Sequence, residues 1–183
     1  MTHRPRGHGA SLLIVLAVTA ASLRVLDAVP RAITGLPRGV IPLNSLPDAA
    51  RRLGTEIPTP SYVPDDLEWP PTHILVGADF SIAVTSRHRS DGAVWLIIAG
   101  APAWAGAIDP AILPPVTVLQ ETEMASGDGR AMSVQRVHDS GGAIWHQASW
   151  HTHARLFLVR GRGSLDDLLR IARSVRERNR RER

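Results

Sequence analysis

The 183-residue sequence predicts an α+β fold: an antiparallel β-sheet meander with a short N-terminal helix and a C-terminal helix packed on it. Seven short runs rich in β-branched and aromatic residues follow one another between residues 72 and 161, which is the pattern of consecutive strands. Turn signals such as Ser90-Asp-Gly92 and Ser140-Gly-Gly142 separate neighbouring runs, so antiparallel pairing is expected. A capping box stands on each side of the β region, so one helix is expected at each end.

The first 29 residues are predicted to be a signal peptide or a signal-anchor helix. Arg4 and Arg6 precede the fourteen uncharged residues 10–23, which is the order of charge and apolarity in an export signal. As a helix this run would extend ~21 Å, short of a ~30 Å hydrocarbon core. Small residues near its end allow cleavage, and an uncleaved anchor reaching about Val29 is the alternative. Both interpretations place the later residues outside the cytoplasmic membrane.

Residues 30–44 are expected to form a spacer, because three prolines and two glycines interrupt any helical pattern there. The folded domain is expected to cover residues 45–178. It opens on Ser45 and Asp48, which have the spacing of a capping box. Gly54 is expected to end the short helix after them.

An extended strap and a series of strands are predicted next. Residues 58–71 hold five prolines in fourteen positions, so they are expected to lie extended across the domain. Residues 102–115 hold four prolines and Trp104, and are expected to form a loop or short helix over a sheet edge. The predicted strands are residues 72–77, 80–87, 93–99, 116–124, 131–138, 143–150 and 155–161.

The C-terminal helix is predicted to start at Ser164, which forms a second capping box with Asp167. Apolar residues then recur at three- and four-residue spacing as far as Val175, a stripe that must pack on the sheet. Residues 179–183 are expected to be a charged, Arg-rich tail.

Composition excludes several classes of protein. The chain has no cysteine, which removes disulfide scaffolds, thiolate zinc sites, cysteine nucleophiles and a lipid-modified N-terminal cysteine. Its net charge of +4 is the difference between 21 basic residues, all arginine, and 17 acidic ones. Residues 24–169 hold 12 arginines and 15 acids, so the body is mildly acidic and the excess lies at the two ends. With an export signal and no aromatic residues among the terminal arginines, a nucleic-acid partner is not expected.

Three histidines are the best candidates for a metal site, although none is predicted to be a ligand. His151 and His153 have the His-x-His spacing that can supply two zinc ligands, and His146 lies nearby in the preceding strand. His151 and His153 fall where the last hairpin should turn, so solvated side chains are the preferred interpretation. No metal or other cofactor is expected.

No catalytic motif supports an enzyme. His138, Asp139 and Ser140 are the residue types of a triad, but three consecutive residues at a turn cannot form the relay. The chain contains no Gly-x-Ser-x-Gly elbow. Gly161-Arg-Gly163 opens a helix as a phosphate loop would, yet Asp166 and Asp167 occupy the place of the anion.

The run Ser45–Leu67, with its short helix before Pro58-Thr-Pro-Ser-Tyr-Val-Pro64, resembles the opening of a bacterial extracytoplasmic domain family of unknown function. The closing segment is similar to that family as well, with Trp150 in the penultimate strand and a final helix from Ser164 to Val175. The resemblance implies a domain found C-terminally in anti-sigma-factor-like proteins, or related to lipoprotein-carrier and sporulation-associated envelope proteins. It implies no enzymatic activity.

Two departures from the family refine this expectation. Only nine residues precede the apolar run, so a cytoplasmic sigma-binding domain is not expected, and there is no lipobox cysteine. The chain is therefore expected to be a free-standing sensory or envelope module, anchored to the cytoplasmic membrane or secreted. Its expected partners are the membrane, through an uncleaved N-terminal helix, and an envelope protein or lipid.

The five tryptophans admit two interpretations. Core and rim packing of a small domain is one. The other, which the likeness to lipoprotein carriers suggests, is a groove between sheet and helix that binds an apolar ligand such as an acyl chain. The residues assigned to that groove are Tyr62, Trp95, Trp145 and Trp150. The preferred function is a non-enzymatic envelope binding or sensing protein, and the alternative is a carrier of an apolar ligand.

Overall fold

The structure, a computed structural model, describes residues 36–55, 57–125 and 131–176, with the backbone alone for Arg176. The predicted signal or anchor segment and the Arg-rich tail lie outside the described residues. All the helices and strands named below belong to the compact unit that starts at Gly39.

An eight-stranded antiparallel sheet and two helices confirm the predicted α+β class. The sheet contains β1 (Ile41–Leu43), β3 (His73–Val76), β4 (Ile82–Arg87), β5 (Val94–Pro102), β6 (Val116–Ala125), β7 (Ala131–Asp139), β8 (Ile144–His151) and β9 (Arg155–Gly161). Two short strands, β2 (Thr59–Pro60) and β10 (Val175–Arg176), pair separately. The helices are α1 (Leu46–Leu53) and α2 (Leu165–Ser174).

The strand order is β1-β3-β4-β5-β9-β8-β7-β6, so the sheet consists of two meanders rather than one. The first runs from β3 to β5. The chain then crosses to the far edge, and the second meander returns from β6 to β9, which pairs with β5. The sequence predicted the antiparallel sheet and the connection at residues 102–115, but not the strand order, because strand patterns carry no information on which strands become neighbours.

Both helices and the strap cover one face of the sheet, called here the helical face. The core on this face joins cross-strand neighbours Ile98, Val159 and Ala148 to the buried α2 residues Leu168 and Ala172. Side chains alternate between the two faces along each strand, so every second residue of β5, β8 and β9 contributes to this core. The apolar stripe of α2 faces it, as the spacing predicted.

Both helices begin at the predicted serines. Ser45 Oγ accepts a hydrogen bond from Asp48 N at 3.2 Å, and Ser164 Oγ accepts one from Asp167 N at 3.1 Å. Gly54 ends α1 in the left-handed conformation, at φ 64°. The hydrogen bond between Ser164 and Asp167 therefore sets the residue at which the chain, after β9, begins α2.

The folded unit begins earlier than Ser45, which corrects the predicted spacer of residues 30–44. Strand β1 pairs with β3 and forms one edge of the sheet, with Ile41 opposite Val76. Val40 is already buried. Prolines and glycines nearby suggested a spacer, but a three-residue edge strand tolerates Pro42 because an edge residue need not donate to a ladder.

The strap lies extended on the helical face. Its β2 pairs with β10 just after α2, and Tyr62, Val63 and Trp69 pack against the core. Further along, Leu67 forms a single bridge with His88. The strap therefore contacts the chain just after α2, the core beneath α2, and His88 after β4.

The connection from β5 to β6 covers the other face, called here the crossover face. It starts with a 3₁₀ turn, Ala103–Ala105, and buries Ile108 and Ile112. Arg160 of β9 donates from Nη1 to Pro114 O at 2.7 Å. The sequence placed this segment over a sheet edge, whereas it crosses the face between the two meanders.

Candidate functional site

The four residues assigned to an apolar groove do not share one. Trp145 and Trp150 are five residues apart in β8, so their side chains project from opposite faces of the sheet. Trp150 is 2% exposed and stacks on Phe157, with ring centroids 5.3 Å apart. It belongs to the core beneath α2, and the space between α2 and the sheet is filled by such side chains.

The other two groove candidates lie apart from each other as well. The ring of Trp95 is 4.6 Å from that of His88, next to the start of α2. Tyr62 lies in the strap, with the Arg170 guanidinium 3.8 Å above its ring. The predicted sheet-helix groove is therefore corrected: Trp150 is part of the core under α2, Tyr62 and Trp95 pack against that core, and Trp145 lies on the opposite face of the sheet.

Trp145 forms a cluster on the crossover face with Asp139 and Arg162. Trp145 Nε1 donates to Asp139 Oδ2 at 3.0 Å, and the Arg162 guanidinium lies 4.5 Å from the Trp145 ring. Asp139 Oδ1 also accepts from the backbone N–H groups of Gly141 and Ala143. The hydrogen bond from Trp145, followed by that from Ala143, holds the pKa of Asp139 below its ordinary value. The Asp139 carboxylate therefore stabilises the β7–β8 turn through these hydrogen bonds.

A chain of polar side chains, here the polar ladder, crosses four neighbouring strands on the same face. Gln147 Nε2 donates to Gln135 Oε1 at 3.0 Å, and Arg160 Nε donates to Gln147 Oε1 at 2.9 Å. At the sheet edge Gln135 Nε2 donates to Glu121 Oε1 at 3.0 Å. The members stand directly opposite one another in the strand register, and they are Glu121, Gln135, Gln147 and Arg160.

The polar ladder ends on a buried cation. Arg160 is 3% exposed, and burial lowers its pKa to about 10, an effect that the charge of Asp139 opposes. It remains protonated at neutral pH. At the other end, hydrogen bonds from Ser133 and then Gln135 lower the pKa of Glu121. The side chains of the polar ladder are thus hydrogen-bonded to one another and to the crossover.

The histidines weighed as metal ligands lie apart. His146 Nδ1 is 3.1 Å from Gly163 O on the helical face. His151 ends β8 and His153 lies in the turn after it, both exposed. Among the residues that the structure describes, no three His, Asp or Glu side chains are grouped to hold a metal ion.

A serine, a histidine and an aspartate do meet beside the β4–β5 hairpin, and they are not the consecutive His138, Asp139 and Ser140. Ser90 Oγ is 2.7 Å from His88 Nδ1, and His88 Nε2 is 3.3 Å from Asp66 Oδ2. Ser90 N also donates to His88 Nδ1, so the ring caps its own turn. Beside it, a cleft of about 320 Å³ runs along the strap, with Asp65 and Arg89 among its walls. The local capping accounts for the contact of Ser90 with His88.

The feature best placed for recognition is an exposed aromatic pair. Trp104 is 72% exposed and Phe80 is 54% exposed, and their rings meet edge to face with centroids 6.4 Å apart. Phe80 lies in the β3–β4 hairpin and Trp104 in the 3₁₀ turn after β5. Large exposed side chains grouped in this way mark interaction surfaces more often than single ones do.

The pair is held on a hydrogen-bonded platform. Ser81 donates from N and Oγ to the two carboxylate oxygens of Asp79, at 2.9 and 2.7 Å. Ser81 Oγ in turn accepts from Asp109 N at 3.2 Å, which links the hairpin to the crossover. Phe80 itself adopts φ 63°, a conformation that bulky residues rarely take and that costs on the order of 1–3 kcal/mol. The surrounding structure therefore keeps Phe80 turned outward.

The chain joins the sheet beside this pair. Gly39 has φ 75°, and a Cβ there would lie 2.9 Å from the Cβ of Ala78, so only glycine fits. Strand β1 begins two residues later, at the end of the sheet that also carries the β3–β4 and β8–β9 turns. This end is called the Gly39 end.

Sequence reasoning did not assign Phe80 or Trp104 to a site. Trp104 stood out only as an aromatic residue in a proline-rich connection, and Phe80 lay inside a predicted strand. Their proximity depends on the pairing of β4 with β5, which brings residue 82 opposite residue 100. A signal was present in the Asp79 and Ser81 that flank Phe80, since such residues favour turns.

Comparison with protein-family models, curated proteins and solved structures finds no match for this chain. None of the helices formed by the described residues has the length and apolarity needed to cross a membrane.

Proposed function

We propose that this chain is a non-enzymatic extracytoplasmic protein of the bacterial envelope, a binding or sensing module at the outer face of the cytoplasmic membrane. The N-terminal segment either anchors it there or is cleaved to release it. Its proposed partners are an envelope protein or a lipid, and the membrane itself when the segment is retained.

One observation carries the proposal: the order of charge and apolarity before the folded unit. Arg4 and Arg6 precede the uncharged residues 10–23, and the sheet begins with β1 soon after. This is the arrangement of an exported domain that comes after a topogenic segment. The absence of cysteine fits an exported protein that folds without disulfides.

The chemistry of the domain favours binding over catalysis. The carboxylate of Asp139 and the guanidinium of Arg160 are engaged in hydrogen bonds that hold turns and strands together. The exposed aromatic pair, by contrast, is a recognition feature because Trp and Phe bury large apolar areas on contact. The resemblance of the opening and closing segments to an anti-sigma-associated domain favours a sensing role.

The test is the topology of the full chain carrying a C-terminal tag. We expect protease added to intact spheroplasts to degrade the tag, while a cytoplasmic marker stays protected. Removing the apolar character of residues 10–23 with three Leu→Arg substitutions, at Leu12, Leu13 and Leu16, should protect the tag. A tag protected in the unmodified chain would overturn the proposal.

The carrier function has less support from the fold. A carrier needs an apolar space, and the layer between sheet and α2 is filled by core residues such as Trp150 and Phe157. The cleft along the strap is lined partly by the charged residues Asp65 and Arg89.

A further inference from the structure

We propose that Phe80 and Trp104 form a membrane-docking contact, which seats the Gly39 end of the domain on the phospholipid surface. The inference rests on the proposed function, since it requires the domain to lie outside the membrane with its N-terminal segment retained. Beyond that function, the contact has a named surface, an orientation and a defined layer of the bilayer, the interfacial region.

The chemistry of the pair suits that region. Tryptophan concentrates at membrane interfaces because its ring is apolar while its N–H stays hydrated. Trp104 is the most exposed of the large apolar side chains that the structure describes, and Phe80 meets its ring edge to face. Together they present one apolar surface rather than two isolated side chains.

The chain enters the sheet at the Gly39 end, beside the aromatic pair. Fifteen residues, 24–38, separate the apolar run from Gly39, a span of at most about 50 Å when fully extended. Gly39 adjoins Ala78, two residues before Phe80. A membrane-inserted residue 23 would therefore hold the Gly39 end within reach of the surface.

The carboxylates beside the pair do not oppose docking. Asp79 accepts both hydrogen bonds from Ser81, and Asp109 Oδ1 accepts from Ala111 N at 2.8 Å. Both side chains are turned toward their own loops. The exposed side chains of the β8–β9 turn include His151 and His153, which add no negative charge to this end.

The contact is expected to be apolar rather than electrostatic. Neither ring is charged, so docking should persist on neutral lipid and at high salt, where exposed charge interactions are screened. An attachment driven by arginines would weaken under both conditions. The two sources of attraction can therefore be separated by lipid charge and ionic strength.

The experiment uses the full chain in phosphatidylcholine vesicles whose acyl chains carry bromine near the headgroup, with tryptophan fluorescence as the readout. We expect bromine to quench Trp104. Trp104→Phe should lose most of the bromine-dependent quenching, because Trp145 and Trp150 are buried, while Trp69 and Trp95 are half-buried and pack against the core. Quenching that is unchanged in Trp104→Phe would overturn the proposal.

A second variant moves the probe to the opposite end of the sheet. Ile144 is 41% exposed and begins β8, away from the Gly39 end. Adding Ile144→Trp to Trp104→Phe should not restore quenching. Equal quenching at both positions would overturn the proposal, because the domain would then touch lipid without a preferred end.

Matched truncations test the pair itself. Phe80→Ala should reduce the quenching of Trp104, whereas Ile144→Ala should leave it unchanged. Anionic lipid or low salt should not be required. A requirement for either would overturn the aromatic contact in favour of a charge-driven one. A shift of Trp104 emission that appears without lipid and grows with protein concentration would assign the pair to a second copy of the chain instead.

Flotation of the same vesicles separates this inference from the proposed function. Chain that floats without quenching at Trp104 overturns the docking contact alone and leaves the anchor in place. Chain that does not float overturns anchoring by residues 10–23, and the docking proposal with it.

Discussion

At the scale of single residues, Arg160 carries a charge in a place where charge is costly. It is almost fully buried, and its pKa of about 10 means that burial disfavours the charged form. Since the pKa is lower in the folded than in the unfolded chain, the unfolded chain binds more protons in the window above about pH 10. The contribution of Arg160 to stability therefore rises with pH there and is unfavourable at neutral pH. Hydrogen bonds to Gln147 and Pro114 offset that cost.

The polar ladder should be non-additive in stability. We expect Gln147→Leu to lower the free energy of unfolding by about 1–3 kcal/mol, because Arg160 Nε loses its acceptor while staying buried. Arg160→Met combined with Gln147→Leu should recover part of this loss, since a buried cation is then removed together with its partner. Urea unfolding of the single and double variants measures the coupling. The control is Gln120→Leu, which changes an exposed glutamine on β6. Additive effects of the two ladder substitutions would contradict the prediction.

At the scale of elements, the local signals were strong enough to locate the strands and helices. The β-branched runs gave seven of the sheet strands to within a few residues, and the two capping boxes gave both helix starts. Strand β1 was not predicted, because its three residues, one of them Pro42, are too few to show an alternation of apolar and polar side chains. The Trp145 and Trp150 assignment failed at this scale too, since strand alternation separates residues five positions apart.

The cap of α2 provides a test of the element. We expect Ser164→Ala to reduce the free energy of unfolding by about 1 kcal/mol, because Asp167 N loses its acceptor at the first turn. Ser164→Asp should retain most of the stability, since a carboxylate can accept the same bond. Thermal unfolding monitored by circular dichroism measures both. Ser140→Ala, in the exposed β7–β8 turn, is the comparison, and an equal loss there would argue against a capping role.

At the scale of the whole molecule, sequence patterns described the parts better than their arrangement. The crossover after β5 puts β9 beside β5 and brings residues 80 and 104 together, and both results depend on contacts distant in sequence. Residue types alone could not specify them. The aromatic pair could therefore be recognised only once the strand order was known. The topogenic segment, by contrast, is predicted from the order of charged and apolar residues alone.

The boundary of the folded unit can be measured with two truncated chains, one starting at Gly39 and one at Ser45. The longer chain keeps β1, and the shorter loses the pairing of Ile41 and Leu43 with β3. We expect the shorter chain to be less stable by about 2–4 kcal/mol, given the partial burial of these side chains and of Val40. Thermal unfolding compares them. Equal stability would place the boundary at Ser45 after all.

The position of β9 has a consequence for how the protein acquires its shape during synthesis. The strand that joins the two meanders is the last of the large sheet to leave the ribosome, so the inner edge of β5 has no partner until then. Contacts this distant in sequence form slowly, and an open strand edge invites association with other chains. A chain exported through the membrane would complete its sheet only after most of it had been translocated. In an exported chain, assembly would thereby be delayed until the domain reached the compartment in which it is proposed to act.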